Sequence, residues 1–199
     1  DVGSADDVAE LFENVEELLG GLDVLINNAG VAGSNLPIEQ IEVTDWQRTL
    51  DVNLSGMFYC VQKAAPLMKS QKSGCIINIS TSSVRTGMIN RLPYISSKQG
   101  VMGLTHNVAR ELGPWNVRCN AILPGLIDND RGRSILTEKA RKEGKNLTQV
   151  EEEYLKYISM RCWINPEEIG DLAVFLSSDK AKHISGQFIA VDGHMEWES

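Results

Sequence analysis

No apolar run in this chain approaches the roughly 18 residues that a membrane-spanning helix needs, so a transmembrane helix is excluded. Basic excess is also missing. With 27 acidic against 19 basic residues the net charge is −8 and the isoelectric point lies near 4.9, whereas a binder of phosphate backbones needs a basic face. Cysteine is scarce and scattered: Cys60, Cys75, Cys119 and Cys162 form no Cys-x-x-Cys pair and have no histidine nearby. That spacing suggests neither zinc nor a disulfide framework, and it reads as buried thiols of a reducing cytosol. His106, His183 and His194 stand in no motif, so no metal site is expected. The chain also lacks internal repeats, low-complexity tracts and interdomain linkers. A single domain follows, with 42% apolar and 23% charged residues, the composition of an ordinary globular core.

What the chain does have is concentrated around Pro93-Tyr94-Ile95-Ser96-Ser97-Lys98. Four-residue spacing on a helix places a phenol and an ammonium on one face. A nearby Lys⁺ favours the phenolate and so is expected to lower the Tyr94 pKa, which would let Tyr94 exchange protons near neutral pH.

Three apolar stretches of strand length end in small or polar residues: Leu22 to Asn27, running into Asn28-Ala29-Gly30; Cys75 to Ser80, running into Thr81-Ser82-Ser83; and Val117 to Leu123, closed by Pro124-Gly125. Buried parallel strands read this way, and ligands bind at their carboxyl ends. Helices are expected between them. Ser4 and Asp7 cap an amphipathic helix that Gly20-Gly21 ends, and Thr44 to Gln47 opens a long helix through Asn53 to about Lys69. A third helix runs from about Leu92 to Leu112, and Asn165-Pro166-Glu167-Glu168 starts a fourth that reaches Ser178. Two more are expected from Gly132 to about Lys142 and from a cap at Thr148 to about Met160, and Phe188 to Val191 gives a last strand. The alternation is that of an α/β fold with a parallel sheet.

Taken together, Asn27-Asn28-Ala29-Gly30, the Asn of Asp51-Val52-Asn53, the hydroxyl cluster, Tyr94-x-x-x-Lys98, Pro124-Gly125 and the closing Ser185-Gly186-Gln187…Val191-Asp192-Gly193 resemble the short-chain dehydrogenase/reductase family, from Asp1 to about Gly193. The resemblance implies a Rossmann-type doubly wound sheet, of which this chain carries the C-terminal part, with the insertion 126–164 as a substrate lid. It also implies a domain incomplete at its N-terminus, because no Gly-rich turn for the cofactor pyrophosphate precedes Leu22. Without neighbouring strands, one edge of the Leu22 to Asn27 strand would be unpaired and apolar.

By the same resemblance the chain is an NAD(P)-dependent oxidoreductase that moves hydride between nicotinamide and a secondary alcohol or ketone. Tyr94 would exchange the substrate proton, Lys98 would lower its pKa and bond the ribose, and Asn53 would hold a water leading to solvent. The family's catalytic Ser, thirteen residues before the Tyr, falls on Thr81, and a one-residue shift would give Ser82, or Ser80 in reverse. Asp1 and Val2 would lie against the adenine, Asn28, Ala29 and Gly30 along the cofactor, and Pro124, Gly125 and Ile127 at the nicotinamide edge. Asn129 stands where a Thr usually bonds the carboxamide. NAD and NADP both stay open. The resemblance further implies a cytoplasmic homo-oligomer, a tetramer or dimer, to which the tail around Trp197 could contribute; a non-catalytic scaffold of the same fold, or an inactive fragment, is the alternative.

Arg85, Arg91, Arg131 and Arg133 flank the expected cleft of an acidic protein. Guanidinium pairs with carboxylate or phosphate in two-pronged fashion, which suggests an anionic hydroxy or keto substrate.

Overall fold

The computed structural model describes residues 1–196. Its centre is a parallel sheet of β1 (Val24–Asn27), β2 (Gly74–Ile79), β3 (Val117–Pro124) and β4 (Phe188–Val191), in the order β1-β2-β3-β4. Register is set by pairs such as Ile26 with Ile77, Ile77 with Asn120 and Ile122 with Ile189. Parallel neighbours need crossovers, and helices supply them: α1 (Ala5–Leu19), α2 (Val43–Leu50), α3 (Gly56–Gln71), α4 (Leu92–Leu112), α5 (Asp130–Glu143), α6 (Leu147–Leu155) and α7 (Pro166–Ser177).

Because successive strand residues face opposite sides, β2 builds two cores at once. Ile76 joins Val8, Phe12, Ala64, Met68, Val108 and Cys119 beneath α1, α3 and α4, while Cys75 and Ile77 join Ile122, Ala173 and Leu176 beneath α7. Helices on both faces of a parallel sheet make this an α/β, Rossmann-type architecture, as the motifs imply. The strands step in a single direction across the sheet. β1 is the edge expected to be apolar, and Ile26 there is half exposed.

Several local expectations change. β1 begins at Val24 rather than Leu22. The capping box expected at Thr44 does not form: α2 opens at Val43, Asp45 accepts from the Ser34 amide at 2.9 Å, and Gln47 reaches forward to Asp51 at 2.7 Å. Asp51–Ser55, between α2 and α3, is a π-helical turn. The cap expected at Thr148 lies two residues earlier, where Asn146 and Gln149 bond each other's backbone, and Glu151 is drawn instead to Arg133. α6 stops at Leu155, not Met160, because the amides of Ser159 and Met160 bond the carbonyls of His194 and Gly193. Asn129 caps α5, which therefore starts at Asp130.

The insertion 126–164 leaves and rejoins the body at a paired neck, where Ile164 donates to Leu126 and Asp128 donates to Ile164, each at 2.9 Å. Cys60, Cys75 and Cys119 are buried, but Cys162, beside this neck, is only half-buried. Trp197, expected to reach a neighbouring subunit, lies outside the described residues.

Candidate active site

β1, β2 and β3 deliver Asn27, Ile79 and Pro124 to the same end of the sheet, and the hydroxyl cluster follows directly from β2. Pro93, in the first turn of α4, suits a position where no backbone donor is needed, and it seats Tyr94 there with Lys98 one turn later.

The three hydroxyls that the sequence leaves in competition have separate partners. Ser80 Oγ donates to the Lys98 carbonyl at 3.0 Å, and Ser82 Oγ donates to the Pro124 carbonyl at 3.1 Å. Thr81 alone of the three reaches the Tyr94 phenol, and its Oγ1 also accepts from the Ser83 amide. Ser82 thus braces the end of β3, while Thr81 is the hydroxyl that faces Tyr94.

Lys98 is buried, and its Nζ donates to the Ile79 carbonyl at 2.7 Å. Burial, reinforced by the charge of Arg131, pushes its pKa down to about 8. Tyr94 is half-buried, and burial raises its pKa; the Thr81 hydrogen bond, Arg131 and Arg91 oppose that rise. The expectation that Lys98 lowers the Tyr94 pKa is therefore corrected. Desolvation dominates the phenol, and the cations acting on it are the two arginines.

Asn53 sits in the π turn with no exposed surface. Its Nδ2 donates to the Val31 carbonyl and to Ser97 Oγ, both at 3.0 Å, and its Oδ1 accepts from the Val31 amide at 2.8 Å. Ser97 Oγ in turn donates to the Tyr94 carbonyl at 2.7 Å. Asn53 thus fixes the loop after β1 against the helix that carries Tyr94. A Cβ on Gly30 would stand 3.2 Å from Asn53 Oδ1 and 3.6 Å from Lys98 Nζ, so the absent side chain keeps that approach open.

The remaining predicted residues divide. Val2, Asn28 and Ala29 border one apolar cleft of about 180 Å³ together with Leu25, Val52 and Gly56. Asp1 does not join them; its carboxylate pairs with Arg48 at 2.8 Å. Pro124 ends β3 and Gly125 follows it, and the backbone of Asp192 packs so near Gly125 that a Cβ would lie 2.7 Å from its Cα. Ile127 pairs with Ile164 in the neck. Asn129 uses its Oδ1 on the Gly132 amide at 2.8 Å, and its amide nitrogen is left for a ligand.

Of the four arginines, two are tied into the fold. Arg85 pairs with buried Asp192 at 3.3 Å. Arg133 grips Asp128 with two nitrogens at 2.7 and 2.9 Å, pairs with Glu151 at 2.9 Å and stacks 3.9 Å from the Trp163 ring. Arg91 instead lies over the Tyr94 ring at 5.1 Å. Sequence reasoning offered Ser80 only as an alternative to Thr81 and passed over Ser97 inside the Tyr94-x-x-x-Lys98 motif; their bonds to the Lys98 and Tyr94 carbonyls, which make them braces, are not visible in sequence.

A family model described as enoyl-(acyl carrier protein) reductase matches residues 1–195. The 3-oxoacyl-[acyl-carrier-protein] reductase of Staphylococcus aureus strain N315 is 37% identical over 194 residues, which cover 98% of this chain and 74% of that protein. The chain belongs to the short-chain dehydrogenase/reductase family. Solved structures agree. Sorbitol-6-phosphate 2-dehydrogenase from Erwinia amylovora superposes with a TM-score of 0.92 at 30% identity, over all of this chain and 78% of that one. An NAD⁺-bound xylitol dehydrogenase gives 0.90 at 28%, over 97% and 76%, and an NADPH-dependent reductase of bacilysin biosynthesis gives 0.91 at 27%, over 100% and 76%. Family members of this fold thus use either nicotinamide cofactor.

Proposed function

We propose that this short-chain dehydrogenase/reductase transfers hydride between NAD or NADP and a secondary alcohol or ketone, with Tyr94 as the proton-exchanging group. The observation that carries the reading is the Tyr94 phenol beside the Thr81 hydroxyl, one helical turn from a buried ammonium, at the carboxyl ends of parallel strands. Bound nicotinamide supplies or takes the hydride.

The residues present suit such a cofactor. Lys98 Nζ has three protons and one acceptor, the Ile79 carbonyl, so a ribose hydroxyl could use the others. Gly30 leaves the approach beside it free of a side chain, and Val2, Asn28 and Ala29 offer an apolar wall. Pro124, Gly125, Ile127 and the amide nitrogen of Asn129 would edge the nicotinamide. Asp1 has no evident part in this.

Tyr94 carries its proton at neutral pH, the form needed to donate to a ketone oxygen; in the reverse direction it accepts the alcohol proton. Thr81 orients the phenol and offers a second hydrogen bond to the substrate oxygen. Asn53 and Ser97 hold the start of α4 in place, and residues 126–164 act as the substrate lid. Exposed apolar side chains on α3 and α7, among them Phe58, Val174 and Phe175, support a homo-oligomer, a dimer or tetramer, which we place in the cytoplasm. A non-catalytic scaffold is the weaker reading, because Thr81 takes the hydroxyl position rather than leaving it vacant.

Tyr94→Phe tests the assignment. Turnover of NAD(P)H with a ketone should fall by about 10²–10⁴-fold, the usual contribution of a positioned acid, while cofactor affinity measured by calorimetry stays within a few-fold. Undiminished turnover would remove Tyr94 from the mechanism.

A further inference from the structure

The four arginines near Tyr94 are not equivalent. Arg85 and Arg133 have carboxylate partners that fix them in the fold. Arg91 and Arg131 have none among the described residues, although the chain holds 27 acidic side chains. Arg91 is half-buried over the Tyr94 ring, and the charge of Arg131, at the start of α5, acts on Arg91, on Tyr94 and on Lys98 alike. Tyr154, from α6 of the insertion, also faces Arg91. Two guanidiniums therefore act on one phenol, with Tyr154 of the insertion facing Arg91 and no carboxylate paired with either among the described residues.

Arg131 is exposed and Arg91 half-buried, and like charges near one another repel most where one of them is partly desolvated. An anion seated between the guanidiniums would relieve the repulsion and gain charge-assisted, two-pronged hydrogen bonds.

We infer that Arg91 and Arg131 form the receptor for an anionic group of the substrate, a phosphate monoester or a carboxylate. That group stands a few bonds from the carbon whose oxygen Tyr94 serves, since Arg91 lies on the very ring that does the chemistry. The inference rests on Tyr94 as the acid/base group and narrows the four candidate arginines to two.

The test reads anion binding directly, so it does not depend on turnover. Inorganic phosphate and acetate are titrated separately into the full chain at constant ionic strength, with binding followed by NMR. Saturable binding of at least one anion is expected, at least tenfold weaker in Arg91→Ala and in Arg131→Ala. It should be partly retained in Arg91→Lys and Arg131→Lys and unchanged in Arg141→Ala on exposed α5 surface. The anion that binds more tightly identifies the headgroup as phosphate or carboxylate. No saturable binding of either anion overturns the inference, as does binding of equal strength in the two alanine variants. Failure of the wider reading shows elsewhere, in turnover that survives Tyr94→Phe.

Discussion

Lys98 is a charge placed where the fold pays for its presence. Its pKa falls from an ordinary 10.5 to about 8 because burial disfavours the ammonium, and the side chain is only 4% exposed. The folded-state pKa is below the unfolded one, so between about pH 8 and 10.5 the unfolded chain binds the extra proton and stability rises with pH through that window. Below pH 8 the full penalty applies, about 3 kcal/mol at 1.4 kcal/mol per tenfold change. Lys98→Met keeps the length and removes the charge, at the cost of leaving the Ile79 carbonyl without its donor, about 1 kcal/mol. Urea unfolding at pH 7 should find the variant about 1–3 kcal/mol more stable than the parent and inactive, with the gap closing as pH rises towards 10.5. A destabilised variant would mean that the ammonium has acceptors enough to repay its burial. Tyr94 and Lys98 were legible in sequence because four-residue spacing is a geometric fact of helices. Their pKa relation was not, because desolvation depends on what covers the site. The ungapped count placed Thr81 ahead of Ser82, but the bond from Ser82 to the Pro124 carbonyl that sets the two apart is not visible in sequence.

At the scale of elements, the π turn at Asp51–Ser55 does what a continuous helix would not. Such turns cluster at functional sites, and this one carries Asn53 into contact with both backbone groups of Val31 and with Ser97. The apolar periodicity across residues 44–69 shows a helix but not the extra residue in one turn, because a local widening barely disturbs the pattern. Strands and the helices of the main body were legible because their apolar runs and stop signals are local. The caps of α2 and α6 were not, since Gln47 turns to Asp51 and Glu151 is claimed by Arg133 in the preceding helix. Asn53→Ala should leave the half-buried Val31 amide and carbonyl without their partner and cost about 1–3 kcal/mol, less than two fully buried unsatisfied groups would. Chemical denaturation measures it, and a loss below about 1 kcal/mol would show that the loop after β1 rebonds elsewhere.

At the scale of the whole molecule, the four cysteines sample three different regions. Cys60, on α3, and Cys119, on β3, lie in the core under α1, α3 and α4, while Cys75 lies in the opposite core under α7. Burial raises the pKa of all three thiols, that of Cys119 to about 12, so the reactive thiolate is scarce as well as shielded. Cys162 is half-buried at the neck of the insertion. A thiol-specific reagent at pH 8 should therefore titrate Cys162 in the native protein and the other three only on unfolding. Because β2 contributes Ile76 to one core and Cys75 and Ile77 to the other, the two faces share a strand and should open as a unit. Cys60, Cys75 and Cys119 are then expected to label with a single rate constant in moderate urea, read residue by residue by mass spectrometry. Labelling of Cys75 ahead of the other two would instead mean that α7 lifts from the sheet by itself, and that the two cores are separate cooperative units joined only by the backbone of β2.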